Sequence, residues 1–424
     1  MTSNQPTRPG DAPTELLAVS FSYPPLAYPR SSQVARLLRS IPFSTTLVCA
    51  DERGARRDPT IEPDAESRLR ACLRVPFPAS RLRARADAVA ARLRLPVWGK
   101  IPDQYASWVR PALRAVGEFA NRHDYKPDLV VSFGQPMSDH LAGLKLKERF
   151  GVPLIAHFSD PWMDNPFNRH GPLARRVNLS LERRVMNGAD MLVFTSRETV
   201  DLVMAKYPTA WKSKARVLPH SFDSTLYARG AGGSGDEIIV RYTGEFYGRR
   251  TPRPLAETLR AILSASPRLL EGVRFELIGS VTTEALAESG LEGLPEGLVT
   301  LRPPVNYAES LSLAAEADGL LIIDAPAARS VFLPSKLVDY IGAGRPILGL
   351  TPPGASDELI KGLGGWTADP SDDEAMRRAA QAFLTFLSRN REERRLWGNP
   401  EVRRIYEVAS VAERFEAMLR EALS

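Results

Sequence analysis

Cysteine is scarce: Cys49 and Cys72 are the only two in 424 residues, and no Cys-x-x-Cys pair exists. That excludes a disulfide framework and suits a reducing cytosol. No stretch approaches the roughly 18 apolar residues of a membrane span, and the opening MTSNQPTRPGDAPTE lacks the apolar core of a signal peptide. Neither export nor membrane spanning is expected. The sequence contains no G-x-x-x-x-G-K-[ST] loop, no H-E-x-x-H, no G-x-S-x-G and no Asp-x-Asp pair, so a metal-dependent phosphotransfer site is not expected. Its five histidines, His123, His140, His157, His170 and His220, have no metal-ligand spacing. No metal and no bound cofactor is therefore expected. An internal repeat of roughly 20 to 50 residues is missing too, which excludes a solenoid.

What is present describes an ordinary globular chain. Apolar content is 43%, charged content 25%, and the length suffices for two α/β domains. Strand-like segments alternate with helical patterns, at 17–21, 46–49, 129–133, 154–158, 191–194 and 215–219. The series then restarts at 238–242, 274–278, 299–301, 320–323 and 347–350, with helical stretches at 254–265 and 307–316. This alternation predicts parallel sheets covered on both faces, and hence two doubly wound, Rossmann-like domains facing across a cleft. The expected organisation is a loose N-terminus (1–14), a first domain (15–227), a linker (228–237), a second domain (238–395) and C-terminal helices (396–424) crossing back to the first. Residues 230–235, GAGGSG, satisfy G-x-G-x-x-G in letters only. They precede a strand instead of following one, so they read as linker. The tail from Asp372 to Ser424 reads as helical throughout.

The net charge of +6 is unevenly spread. Between residues 68 and 100, nine basic residues are offset only by Asp87, with Leu69, Leu73, Val75 and other apolar residues interleaved. The segment reads as a solvated, arginine-rich helical face; peripheral contact with an anionic membrane surface, or with an anionic acceptor, is the alternative. The arginines cluster without an RNA- or DNA-binding motif, so no nucleic-acid partner is expected.

The densest local signal is VFLPSKLVDYIGAGRPILGL, residues 331–350. Pro334 suits a first helical position, which puts Ser335 and Lys336 in the opening turn, where free N–H groups, the helix dipole and an ammonium suit a diphosphate. Asp339 falls about one turn further on, off the apolar face of Leu337, Tyr340 and Ile341, where a carboxylate can accept hydrogen bonds from ribose hydroxyls. The same run also fits an ordinary helix-to-strand corner. His157 and His220 each lie near the carboxyl end of an expected strand, the edge at which α/β sheets bind ligands.

Taken in order from Ser22 to Leu350, these residues resemble the retaining glycosyltransferases of family 4, which have the GT-B fold. The matching pieces are Ser22-Tyr23-Pro24-Pro25, Lys126 to Val131, Gly151 to Trp162, Glu182, Ala189-Asp190, Leu218 to Asp223, Tyr242 to Arg250, and the 331–350 segment. The resemblance implies transfer of a sugar from a nucleoside-diphosphate sugar to an acceptor hydroxyl, with retention and without metal, in polysaccharide, glycolipid or other glycoconjugate synthesis. It implies that Arg250 and Lys336 are the catalytic cations. Gly244, Arg249, Val305, Leu333, Pro334, Ser335 and Asp339 would complete the donor site, and Tyr23, Gln135, His157 and Asp160 the acceptor or sugar side. The expected location is the cytoplasm, with membrane association on the inner face. Two departures from the family pattern stand out. Val331 occupies the place of the first of two acids eight positions apart, and Gly134 the place of a histidine. A non-catalytic sugar-nucleotide-binding protein and another GT-B enzyme, such as a nucleotide-sugar epimerase, are the alternatives.

Overall fold

The computed structural model describes residues 14–77, 101–166, 171–227, 237–389 and 391–424. Almost all of the expected N-terminal stretch, positions 78–100 of the cationic segment, and 228–236 of the linker with its GAGGSG run lie outside the described residues.

The first half builds a seven-stranded sheet from β1 (Glu15–Val19), β2 (Ser44–Glu52), β3 (Leu69–Phe77), β4 (Leu129–Gly134), β5 (Leu154–Phe158), β6 (Met191–Phe194) and β7 (Ala215–Val217). All pairings are parallel, in the order β3-β2-β1-β4-β5-β6-β7. Both faces are covered, so successive residues enter opposite cores. Leu17 and Val19 of β1 join Trp108, Val116 and Leu144 on one side. Leu16 and Ala18 join Val34, Leu38 and Phe415 on the other.

The second half repeats the plan with β8 (Ile238–Thr243), β9 (Val273–Ile278), β10 (Val299–Arg302), β11 (Gly319–Ile323), β12 (Ile347–Leu350) and β13 (Trp366–Ala368). These are again all parallel, in the order β10-β9-β8-β11-β12-β13. Tyr242, Leu321 and Ile323 pack under helix Asp373–Leu387, while Leu320, Ile322 and Ile347 pack against helix Ser335–Ala343. The final helix, Val408–Leu423, returns to the first sheet and sets Val411, Phe415 and Leu419 into its core. Phe415 is fully buried, with its ring centroid 6.4 Å from that of Phe133, so its truncation to Ala would cost about 3–5 kcal/mol. At this crossing the Phe222 amide donates to the Tyr406 carbonyl (2.9 Å) and the Val408 amide to the Phe222 carbonyl (2.9 Å).

Several sequence expectations need correction. The first strand lies two residues earlier than expected, and β7 stops at Val217, short of Pro219. Residues 69–77 are an edge strand and not part of a helical face: Leu73, Val75 and Phe77 alternate onto one core while Arg70 and Arg74 pair with Glu15 and Glu66. Arginine density hid a period of two, and Pro76 is tolerated because the strand is at an edge. β13 (Trp366–Ala368) is not among the expected strands, because three residues are too few to carry an alternating pattern. The tail is not one helical run: Asn399 caps a new short helix after Gly398 by accepting from the amides of Glu401 and Val402. Among the described residues, no helix is long and apolar enough to cross a membrane.

Candidate functional site

In each sheet the strand order reverses once, between β1 and β4 in the first and between β8 and β11 in the second. Crevices at the carboxyl ends of such strands are where doubly wound sheets take ligands. Loops and helix starts that follow strands in both halves meet each other. Val305 accepts at its carbonyl from Arg56 (3.2 Å), the Tyr307 amide donates to Asp58 (2.6 Å), and Ser196 and Thr199 donate to the Val331 carbonyl (3.0 and 2.9 Å). The two candidate edges therefore border one cleft.

On the second-domain side, β8 ends at Thr243 and the chain turns at Gly244 with φ +144°, a conformation that favours glycine. A Cβ there would also collide with the Lys336 ammonium. Lys336 donates to the Tyr242 hydroxyl at 2.6 Å and sits 4.0 Å above that ring, a favourable cation–π placement. Burial, reinforced by the neighbouring Arg250, lowers its pKa to about 7, against the pull of Asp324 and Glu245. Arg250 lies 3.5 Å from Asp324, its Nε is buried without a partner, and its guanidinium covers the Tyr247 ring. Asp324 in turn accepts from the Thr351 hydroxyl at 2.8 Å. Lys336, from a helix start, and Arg250, from the loop after β8, thus reach one locus.

The remaining donor-side candidates are less uniform. Pro334 is the residue before the helix (φ −61°, ψ 134°), not its first residue, so Ser335 opens the first turn. Leu333 is buried, Ser335 and Lys336 are partly buried, and Arg249 is exposed. Lys336 is accordingly packed at the helix start against Tyr242. Asp339 carries a hydrogen bond from the Tyr307 hydroxyl at 3.0 Å, and its backbone carbonyl accepts from Tyr227 at 2.8 Å. Tyr307 itself accepts from Arg36 at 2.9 Å, and Arg36 pairs with Glu62 at 2.8 Å. This chain ties the expected ribose carboxylate to the first domain. Burial raises the Asp339 pKa to about 6, opposed by Arg36 and by the Tyr307 hydrogen bond. Val331, in place of an acid, has a buried side chain.

On the first-domain side, Tyr23 must be corrected: it is fully buried and its hydroxyl donates to the Ala65 carbonyl at 2.7 Å, which makes it a core residue. Gln135 is exposed and its amide donates to Asp160 at 2.8 Å; burial raises the Asp160 pKa. His157 is buried, with Nδ1 2.8 Å from Arg30. Burial, then Arg30 and His220, push its pKa well down. The space that a side chain on Gly134 would need is filled by His140 Nε2, which has no partner, while its Nδ1 lies 2.8 Å from the Ser132 hydroxyl. A buried imidazole from the following helix thus lies against the position where the family pattern has one.

Sequence reading missed Arg30, Arg36, Glu62, Tyr307 and Asp324 as members of this cleft. Pro29-Arg30 does open the first helix after β1, a position at the ligand edge that could have singled out Arg30. Nothing local marks Glu62 or Tyr307. Among the described residues, no group of three or more His, Cys, Asp or Glu side chains is arranged to hold a metal ion.

Residues 29–220 match the family model described as a glycosyl transferase 4-like domain. No curated protein matches the chain in sequence. Solved structures match in fold at low identity. One, described as trehalose-6-phosphate from E. coli bound with UDP-2-fluoro glucose, has a TM-score of 0.66 at 12% identity and covers 96% of this chain and 99% of its own. A lipopolysaccharide outer core galactosyltransferase in its apo form gives 0.60 at 11% identity, with 96% and 99% covered. A Listeria monocytogenes protein with the provisional description UDP-N-acetylglucosamine 2-epimerase gives 0.59 at 13%, with 97% and 96% covered. The fold is GT-B, two parallel-sheet α/β domains.

Proposed function

We propose that this protein is a retaining glycosyltransferase that moves a sugar from a nucleoside-diphosphate sugar to an acceptor hydroxyl. The observation that carries the reading is the convergence of Lys336 and Arg250 beside Gly244 at the β8/β11 crevice. Negative charge grows on the diphosphate as the glycosidic bond breaks, so fixed cations at this point favour the transition state over the ground state. The amides that open helix Ser335–Ala343 add dipolar stabilisation. Two side-chain cations supply neutralisation that a metal would otherwise supply, which supports metal-independent transfer. Asp339 would take the ribose, exchanging the Tyr307 hydroxyl for a ribose hydroxyl. The acceptor's proton would pass to a leaving-group oxygen, so no separate protein base is required.

Thermal-shift screening against UDP-, GDP-, ADP- and dTDP-sugars identifies the donor, since a specific ligand stabilises the fold by mass action. Transfer is then assayed in the parent and in Lys336→Ala. Donor binding with no transfer to any acceptor would favour the non-catalytic reading, and interconversion of the donor sugar would favour an epimerase. Full transfer activity in Lys336→Ala would refute the site.

A further inference from the structure

Helix Pro29–Arg39 buries two arginines and treats them differently. Arg36, 2% exposed, lies against the Glu62 carboxylate at 2.8 Å. Arg30, 7% exposed, touches no carboxylate among the described residues. Its partners are Gln33 (3.4 Å), His157 Nδ1 (2.8 Å), the His157 carbonyl (3.0 Å) and the face of Phe133 (5.5 Å), and its Nε is buried without any partner. A buried charge with no counter-ion is costly and stands out against the paired arginine six residues along. Asp160 and Asp139 act on it only from beyond ion-pair distance.

Arg30 also lines a narrow pocket with Gln33, Phe133, His157, Pro219 and His220, at the carboxyl ends of β4 and β5. Burial, with Arg30 next, keeps both histidines neutral, His220 down to about 3. A neutral imidazole keeps one N–H to donate. The pocket thus offers a fixed positive charge with an unused donor, two imidazoles and an amide. No acid lines it.

We infer that this pocket receives an anionic group of the acceptor, a phosphate or a carboxylate, with the unpaired guanidinium of Arg30 as its counter-ion. The assignment to an acceptor rests on the transferase reading; the anion site itself does not. Arg30 suits either group because its unused Nε–H can make one charge-assisted hydrogen bond while the guanidinium charge offsets the anion. The donor diphosphate has its own cations at the opposite edge of the cleft, which leaves Arg30 for the second substrate.

Calorimetric titration with inorganic phosphate and, separately, with acetate tests this in the Arg250→Ala/Lys336→Ala protein, in which the donor-side cations are gone. At least one of the two anions should bind there, and Arg30→Gln added to that background should weaken it by about tenfold or more, the loss of a charge-assisted hydrogen bond. Phosphate without acetate assigns a phosphorylated acceptor; acetate as well assigns any small anion. No binding of either anion, or equal binding with and without Arg30→Gln, would overturn the inference. Should that variant fail to fold, the His157 and His220 imidazole resonances of the unsubstituted protein give the answer, since they should move on titration. Unmoved resonances would refute the site. Because no sugar nucleotide is used, failure here leaves the transferase reading standing, and loss of that reading leaves an anion site to be measured.

Discussion

The two sheets share a strand order and differ in how their cleft edges hold positive charge. At the second-domain edge, Lys336 and Arg250 rest on tyrosine faces, with Asp324 3.5 Å from Arg250 and acting on Lys336 only through space. Neither is locked by a short ion pair. At the first-domain edge, Arg36 is locked by Glu62 while Arg30 is buried and unpaired. A cation held for structure has its anion in the chain, whereas a cation held for a ligand leaves that place open. Breaking the two kinds should therefore give opposite results, stability lost in one case and binding in the other.

The largest effect is expected at Arg36. Replacing it with Met leaves the buried Glu62 carboxylate only Arg39, 3.1 Å away, and removes the donor to Tyr307 and to the Ser221 carbonyl, which should cost about 3 kcal/mol in urea unfolding. Arg30→Met strands no carboxylate but leaves His157 Nδ1 and the His157 carbonyl without their donor, so its cost should be smaller, about 1–2 kcal/mol. Equal losses would erase the distinction between the two arginines. Lys336→Ala should come next, with turnover reduced about 100- to 1000-fold, the scale of removing one preorganised charge stabiliser. Its melting temperature should fall by only about a few degrees, because the packed stem and its contact with Tyr242 are lost while a lysine depressed to about 7 contributes no stability by being charged.

Much of this comparison could be read in the sequence on one side only. Lys336 follows from the local helix signal in 331–350, whereas Arg250 and Gly244, in the short run 242–250, follow from the family resemblance. The first-domain elements depend on separation: Arg36 meets Glu62 and Tyr307 from positions 26 and 271 residues away. No periodicity reports such contacts. Edge strand β3 was masked by its arginines, and Tyr23 looked available because burial of a residue just after a strand depends on the loop that covers it, here through Ala65. The doubly wound order itself followed from alternation, since continuous apolar runs leave few other arrangements.

Tyr307→Phe is a smaller and sharper test. The hydroxyl holds Asp339 through a charge-assisted bond, so donor affinity should change by about tenfold. The direction reports what the hydroxyl does: tighter binding if it competes with ribose, weaker if it only orients the carboxylate. In either case loss of the donor raises the Asp339 pKa further above about 6, with burial, Arg36, Glu62 and Tyr227 still facing it. The acid limb of donor binding should move to higher pH, and Asp339→Asn should abolish that movement. A purely structural role for Tyr307 would leave the limb in place.

The smallest effect is the pH dependence of Lys336. The free protein holds it near 7, well below its ordinary value, because of burial and the adjacent Arg250 charge. A bound diphosphate favours the ammonium, so binding above neutrality must take up a proton. Nucleoside-diphosphate affinity should therefore be about fivefold weaker at pH 8 than at pH 7, the change in protonated fraction for a group of that pKa. The fold responds in the opposite sense. Between about 7 and the unfolded value the unfolded chain binds more protons at this site, so its contribution to stability rises with pH. Titrating a nucleoside diphosphate, and unfolding with urea, at both pH values in the parent and in Lys336→Gln separates the two, because the variant should lose the affinity slope and this site's share of the rise in stability. A slope that survives the substitution would place the titrating cation elsewhere on the cleft and remove the charge contrast between its two edges.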